Sequence, residues 1–149
     1  VSSHALALLA AEDINPAGLF LESPFNNIAD ELSWHPFAQI FKHLPWFHWV
    51  IVEPFYTNHL RFESDKHIGN IKCPVMILHA EDDNVIPISL GDKLYESGLR
   101  LRGNDTNQVE MVRISGALGL GHKYICRYEP LPSIIESFVA KSQSRQESQ

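Results

Sequence analysis

One run restricts the fold more than any other: Cys73-Pro-Val-Met-Ile-Leu-His-Ala80. Its apolar residues are continuous rather than alternating, so both faces need cover, as in an interior strand of a parallel sheet. The run ends abruptly in Glu81, Asp82 and Asp83, and Val85, Ile86 and Pro87 follow. Charge at the exit of a buried strand is costly unless a partner meets it. The chain must bring that partner from elsewhere.

The flanking segments fit an α/β fold. Residues 3–12 predict a helix with Ala5, Leu6, Leu8 and Leu9 on its apolar face. Asn15, Pro16 and Gly18 mark a turn, and Leu19–Leu21 predicts a short buried strand closed by Pro24. From Asn26 to about Asn58 the chain is rich in aromatics, among them Trp34, Phe37, Phe41, Trp46, Phe47, Trp49, Phe55 and Tyr56. Pro36, Pro45 and Pro54 exclude one long helix there, so short helical pieces are expected. Residues 87–100 predict a helix carrying Leu90, Leu94 and Leu99, with Gly98 as a stop signal. Val109–Ile114 alternates as a half-buried strand does. A glycine-rich loop, Ser115–Tyr124, leads to a last helix over 131–142 with Pro132 in its first turn. Residues 143–149 read as a polar, disordered tail. Strands alternating with helices predict a mostly parallel sheet flanked by helices. There are no internal repeats.

The 149 residues suffice for one domain with a core. Twelve basic against eighteen acidic residues, a net charge of −6, argue against nucleic acid as a partner. Cys73 and Cys126 are too few for a disulfide scaffold and read as unpaired thiols. The longest apolar stretch, residues 46–55, contains His48 and Glu53 and falls short of the ~20 residues of a membrane span. No signal peptide is visible. His4, His35, His43, His48, His59 and His67 lack metal-ligand spacing, so neither a zinc site nor another cofactor is expected. The glycines at 116–121 are not continued by a helix or a Lys-Ser/Thr, which excludes a phosphate loop.

Functional groups collect at the carboxyl ends of parallel strands. Two such ends carry chemistry here: the acids after Leu78, and the loop after Ile114 that holds His122. An acid followed by a histidine is the closing half of the order Ser…Asp…His. A neutral histidine takes the proton of a weak nucleophile, while a buried carboxylate fixes its tautomer and stabilises the imidazolium. Asp82 and Asp83 are both candidates for the acid. Glu81 reads as a solvated loop charge, and His79 as a hydrogen-bonded core histidine.

Residues 78–87, Leu-His-Ala-Glu-Asp-Asp-Asn-Val-Ile-Pro, resemble the α/β-hydrolase signature His-Gly-x-x-Asp-x-x-Val-Pro. Ala80 stands where glycine is usual, and Ile86 where valine is. Residues 19–28, 33–37, 73–83 and 121–125 together resemble the branch of α/β-hydrolase-domain-containing protein 12, across residues 5–140. Members of that branch are membrane-associated serine hydrolases of lysophosphatidylserine and monoacylglycerols. The resemblance implies a C-terminal part of an α/β-hydrolase, with Asp83 as catalytic acid and His122 as catalytic base. It also implies a lipid ester as substrate and a domain facing the lumen of the endoplasmic reticulum. Membrane attachment would come through a preceding N-terminal part. In a lumenal domain the Asn104-Asp-Thr106 triplet would be a glycosylation acceptor.

No Gly-x-Ser-x-Gly elbow occurs in the chain. Ser23 lacks flanking glycines and Ser115 has one on one side only, so neither reads as the nucleophile. The chain opens without Met, inside what reads as a helix already under way. The expectation is a fragment whose nucleophile and oxyanion hole precede Val1, inactive by itself. The aromatic segment, 26–60, has two readings: simple core, or a cap whose apolar wall suits an acyl chain. A thioesterase or peptidase on the same machinery, or a truncated non-catalytic form, stay open as alternatives.

Overall fold

The computed structural model describes residues 2–34, 36–41, 43–57, 62–103 and 108–146. Strand β2, Val75–Ala80, is buried at every position. It lies between β1, Leu19–Glu22, and β3, Val109–Ile114, and both neighbours run parallel to it. The register is Leu19 to Val75 on one side and Val75 to Val109 on the other. All three strands therefore end at the same edge, where Ser23, Glu81 and Ser115 leave the sheet.

Two apolar layers explain why β2 needs no polar face. Val75, Ile77 and Val109 pack with Leu94 of helix α6 (Ile88–Leu101) and Leu6 of helix α1 (Ser2–Ala11). Met76 and Leu78 pack on the opposite side with Phe138 and Ile134 of helix α7 (Leu131–Gln146). Ion pairs follow the same division: Arg113 reaches Asp92 of α6, and Lys141 of α7 reaches Glu110. Such exposed pairs add little energy; burial of the aliphatic layers dominates.

Several expectations change. Strand β1 is half-buried at Leu19–Leu21 and exposed at Glu22, because β2 is its one partner among the described residues. Helix α1 buries Ser3 and Ala10 and leaves Ala5 and Leu8 out, Leu8 being 59% exposed. A segment apolar on all sides does not declare its inner face. Gly98 does not stop α6, which continues to Leu101. It lets the helix approach β3: a Cβ there would stand 3.0 Å from Ile68 Cδ1 and 3.1 Å from Val109 Cγ1. Helix α7 runs to Gln146, taking in four residues that read as tail. Ser142 is buried and Ser144 Oγ donates to the Lys141 carbonyl, so packing and a local bond carry the helix past the apolar run.

The aromatic segment is divided as its prolines require into α2 (Ile28–Trp34), α3 (Pro36–Phe41), a π-helical turn (His48–Val52) and α4 (Glu53–Thr57), and the short α5 (Ser64–His67) follows before β2. Ala38, Phe47 and Val52 form a small cluster apart from the sheet's two layers. Trp49 is 75% and Ile40 70% exposed. Cys73 is buried and Cys126 exposed, and both are free thiols. No helix among the described residues is long and apolar enough to cross a membrane. His35, His59 and Asn104–Thr106 lie outside the described residues.

A second glycine of α6 makes a sharper test of close packing. A Cβ on Gly91 would lie 2.5 Å from His79 Nδ1, inside a ring that is itself fully buried. Alanine should gain about 1 kcal/mol in helix propensity. Overpacking should cost about 1–3 kcal/mol. Gly91→Ala is expected to lower the denaturant midpoint at unchanged slope; a raised midpoint would show that the ring moves aside freely.

Candidate active site

The site lies in two loops, one leaving β2 and the other β3. In the first, the chain turns sharply after Ala80 towards the start of α6. Asp83 caps that turn from within: its Oδ1 accepts from the backbone N–H of Val85 at 2.9 Å and of Ile86 at 2.8 Å. This is the local hydrogen bonding that aspartate offers at turns. Its Oδ2 faces away, towards the second loop, and lies 2.8 Å from His122 Nδ1.

Two observations fix the chemistry of that contact. The Asp83 side chain is fully buried, whereas that of His122 is 31% exposed. Burial pushes the Asp83 carboxyl pKa up, but the Ile86 N–H, the His122 ring, the Val85 N–H and the Ser23 hydroxyl outweigh it. The net effect is a pKa below the ordinary 3.8. Asp83 is thus ionised near neutral pH and can only accept, so Nδ1 of His122 carries the proton. The Nε2 lone pair is then available on a ring that solvent reaches. Such a pair can take a proton from a nucleophile and return it to a leaving group.

His79 is buried completely, and its Nε2 lies 2.9 Å from the Ile86 carbonyl oxygen. A carbonyl only accepts, so His79 donates from Nε2, and its Nδ1 is left buried without a hydrogen-bond partner. Nε2 is also 3.5 Å from Asp83 Oδ2. The residue is a hydrogen-bonded core histidine, as its position implies, and it also backs the turn that holds the acid.

The three acids divide among three partners. Asp83, not Asp82, meets His122. Asp82 Oδ2 accepts from the Gly121 N–H at 3.0 Å. Glu81 is exposed, as a solvated loop charge should be, and its Oε2 also accepts from the Gly116 N–H at 3.0 Å. Backbone amides carry no residue signature, so neither contact could be found from sequence.

Ser23 is buried at the end of β1 with a positive φ of 42°. Its hydroxyl stands by Asp83 and helps lower the carboxyl pKa, while falling outside hydrogen-bond geometry. Ser115 is exposed and accepts from the Ala117 N–H through its side chain. Among the described residues no group of three or more His, Cys, Asp or Glu could hold a metal ion.

No protein-family model matches the chain. It is 38% identical over 139 residues to lysophosphatidylserine lipase ABHD12 of Danio rerio, covering 93% of this chain and 36% of that protein. The Macaca fascicularis protein of the same name is 38% identical over 143 residues, covering 96% and 36%. Human protein ABHD12B is 26% identical over 144 residues, covering 97% and 39%. A solved structure, the α/β hydrolase MGS-M2 from a Medee basin deep-sea metagenome library, is 18% identical. It covers 96% of this chain and 62% of that one, with a TM-score of 0.46.

The chain resembles the ABHD12 lysophosphatidylserine lipases along nearly its whole length, and it spans about 36% of theirs.

The depressed pKa of Asp83 makes a signed prediction. A carboxyl whose folded pKa lies below its unfolded value adds stability above the unfolded pKa and loses it as pH falls through the folded one. The stability advantage of the wild type over Asp83→Asn should hold from neutral pH to about pH 5. Below the ordinary value of 3.8 it should shrink. Urea midpoints of both forms across pH 2–7 test this; an advantage that grows on acidification would contradict it.

Proposed function

We propose that this chain supplies the acid–base half of a serine ester hydrolase acting on lipid esters. Asp83 orients His122, which acts first as base and then as acid around an acyl-serine intermediate. The observation that carries this reading is the 2.8 Å contact of a buried carboxylate with a part-exposed imidazole at the ends of adjacent parallel strands. The named activity of the ABHD12 relatives supports a lysophospholipid as substrate. Monoacylglycerol fits the same chemistry. The aromatic segment over 26–60 serves as a cap whose apolar side chains receive the acyl chain.

The serine and the oxyanion hole lie on the preceding part of a longer protein in this reading. A fluorophosphonate probe tests it, since it labels activated serines. The chain by itself should remain unlabelled. The longer protein should label, and His122→Ala should abolish the labelling. Labelling of the chain alone would overturn the assignment and point to Ser23, whose backbone is already strained.

The setting inferred from the family resemblance is a membrane-associated enzyme with its catalytic domain in the lumen. Asn104 reports on it. In secretory-pathway expression the longer protein should lose mass on endoglycosidase treatment, and Asn104→Gln should remove that share of the shift. Absence of any shift attributable to Asn104 would count against the lumenal placement.

A further inference from the structure

We infer that Asp82, assisted by Glu81, is a positioning residue for the histidine: its carboxylate holds the Gly121 N–H and thereby sets where the His122 ring stands. This rests on Asp83 and His122 being the catalytic pair. Gly121 directly precedes His122, so the bond to Asp82 Oδ2 acts one residue from the ring. Glu81 holds Gly116 at the other end of the same loop. The two loops are thus joined at three points by three consecutive acids.

The loop leaving β3 is otherwise held by Leu120, packed against Ala80, Ile114 and Ile125, and by bonds within itself such as the Tyr124 N–H on the Leu120 carbonyl. Gly119 and Gly121 take left-handed conformations, with φ of 64° and 52°, and the segment between Leu118 and Tyr124 forms no helix or strand. The amide of Gly121 finds its acceptor across the gap. The gap is narrow: a Cβ on Gly116 would lie 3.3 Å from both the Asp82 Cβ and its backbone nitrogen. Asp82 is also no ordinary surface acid. Its second oxygen, Oδ1, is buried and has no hydrogen-bond partner. A carboxylate kept under such cover has a positional use, because a solvated side chain would avoid the desolvation cost.

The alternative role is a plain loop staple that stabilises the fold without affecting the chemistry. Steady-state kinetics of the longer hydrolase on a monoacylglycerol separate the two, with rates referred to sites titrated by fluorophosphonate so that only competent protein counts. Asp82→Ala should lower kcat about 10- to 100-fold, the scale of small misplacements of a catalytic group. KM should stay within about twofold, since Asp82 does not touch substrate. Asp82→Asn keeps an oxygen for the Gly121 N–H and should restore most of the rate. In an Asp83→Asn background, Asp82→Ala should cost little more, because both act through His122.

A wild-type kcat in Asp82→Ala, a loss that Asn does not repair, or an equal loss in both backgrounds would each overturn the positioning role. Should Asp83→Asn by itself keep the wild-type kcat, the catalytic pair falls and this inference with it. A flat Asp82 series beside a crippled Asp83→Asn removes the positioning role and leaves the pair standing.

Discussion

A buried negative charge at the end of β2 governs the rest of the site. Taking a carboxylate out of water costs several kcal/mol even after relaxation. Asp83 offsets that cost with two backbone N–H groups on one oxygen and the His122 ring on the other. The first two bonds require the chain to fold back within three residues, which Ile86 and Pro87 allow by leading straight into α6. The third requires a loop from the far side of β3 to arrive at the same place.

Parallel topology makes the meeting feasible. Strand ends from three separated stretches of chain, at Glu22, Ala80 and Ile114, lie side by side on one edge of the sheet. An antiparallel arrangement would put alternate ends on opposite edges. Helices α1 and α6 cover one apolar face of the sheet and α7 covers the other. Packing is tight enough that glycine is needed where a ring or a strand comes close, at Gly91 against His79 and at Gly98 against Val109.

What was legible in the sequence divides along physical lines. The continuous apolar run of β2 announces two covered faces, and the alternation in Val109–Ile114 announces β3. The acids and the histidine stand out because each follows a predicted strand of a parallel sheet. The partners of Glu81 and Asp82 could not, since a backbone N–H belongs to every residue but proline. The inward face of α1 is not legible because leucine and alanine surround that helix on all sides, whereas the buried Ser3 looks polar. Gly98 is ambiguous because a glycine near a helix end signals either termination or close approach. The partner across the gap, Val109, decides which.

Three adjacent carboxylates repel one another, and the way they are dispersed bears on function. Glu81 and Asp82 are met by neutral amide dipoles, whereas Asp83 is met by the imidazole of His122. Had a lysine or arginine answered any of the three, its permanent cation would compete with His122 for the same negative field. Each amide donor meets one carboxylate oxygen without adding a charge. The crowded strand exit is answered by two amides and an imidazole, none of them a fixed cation.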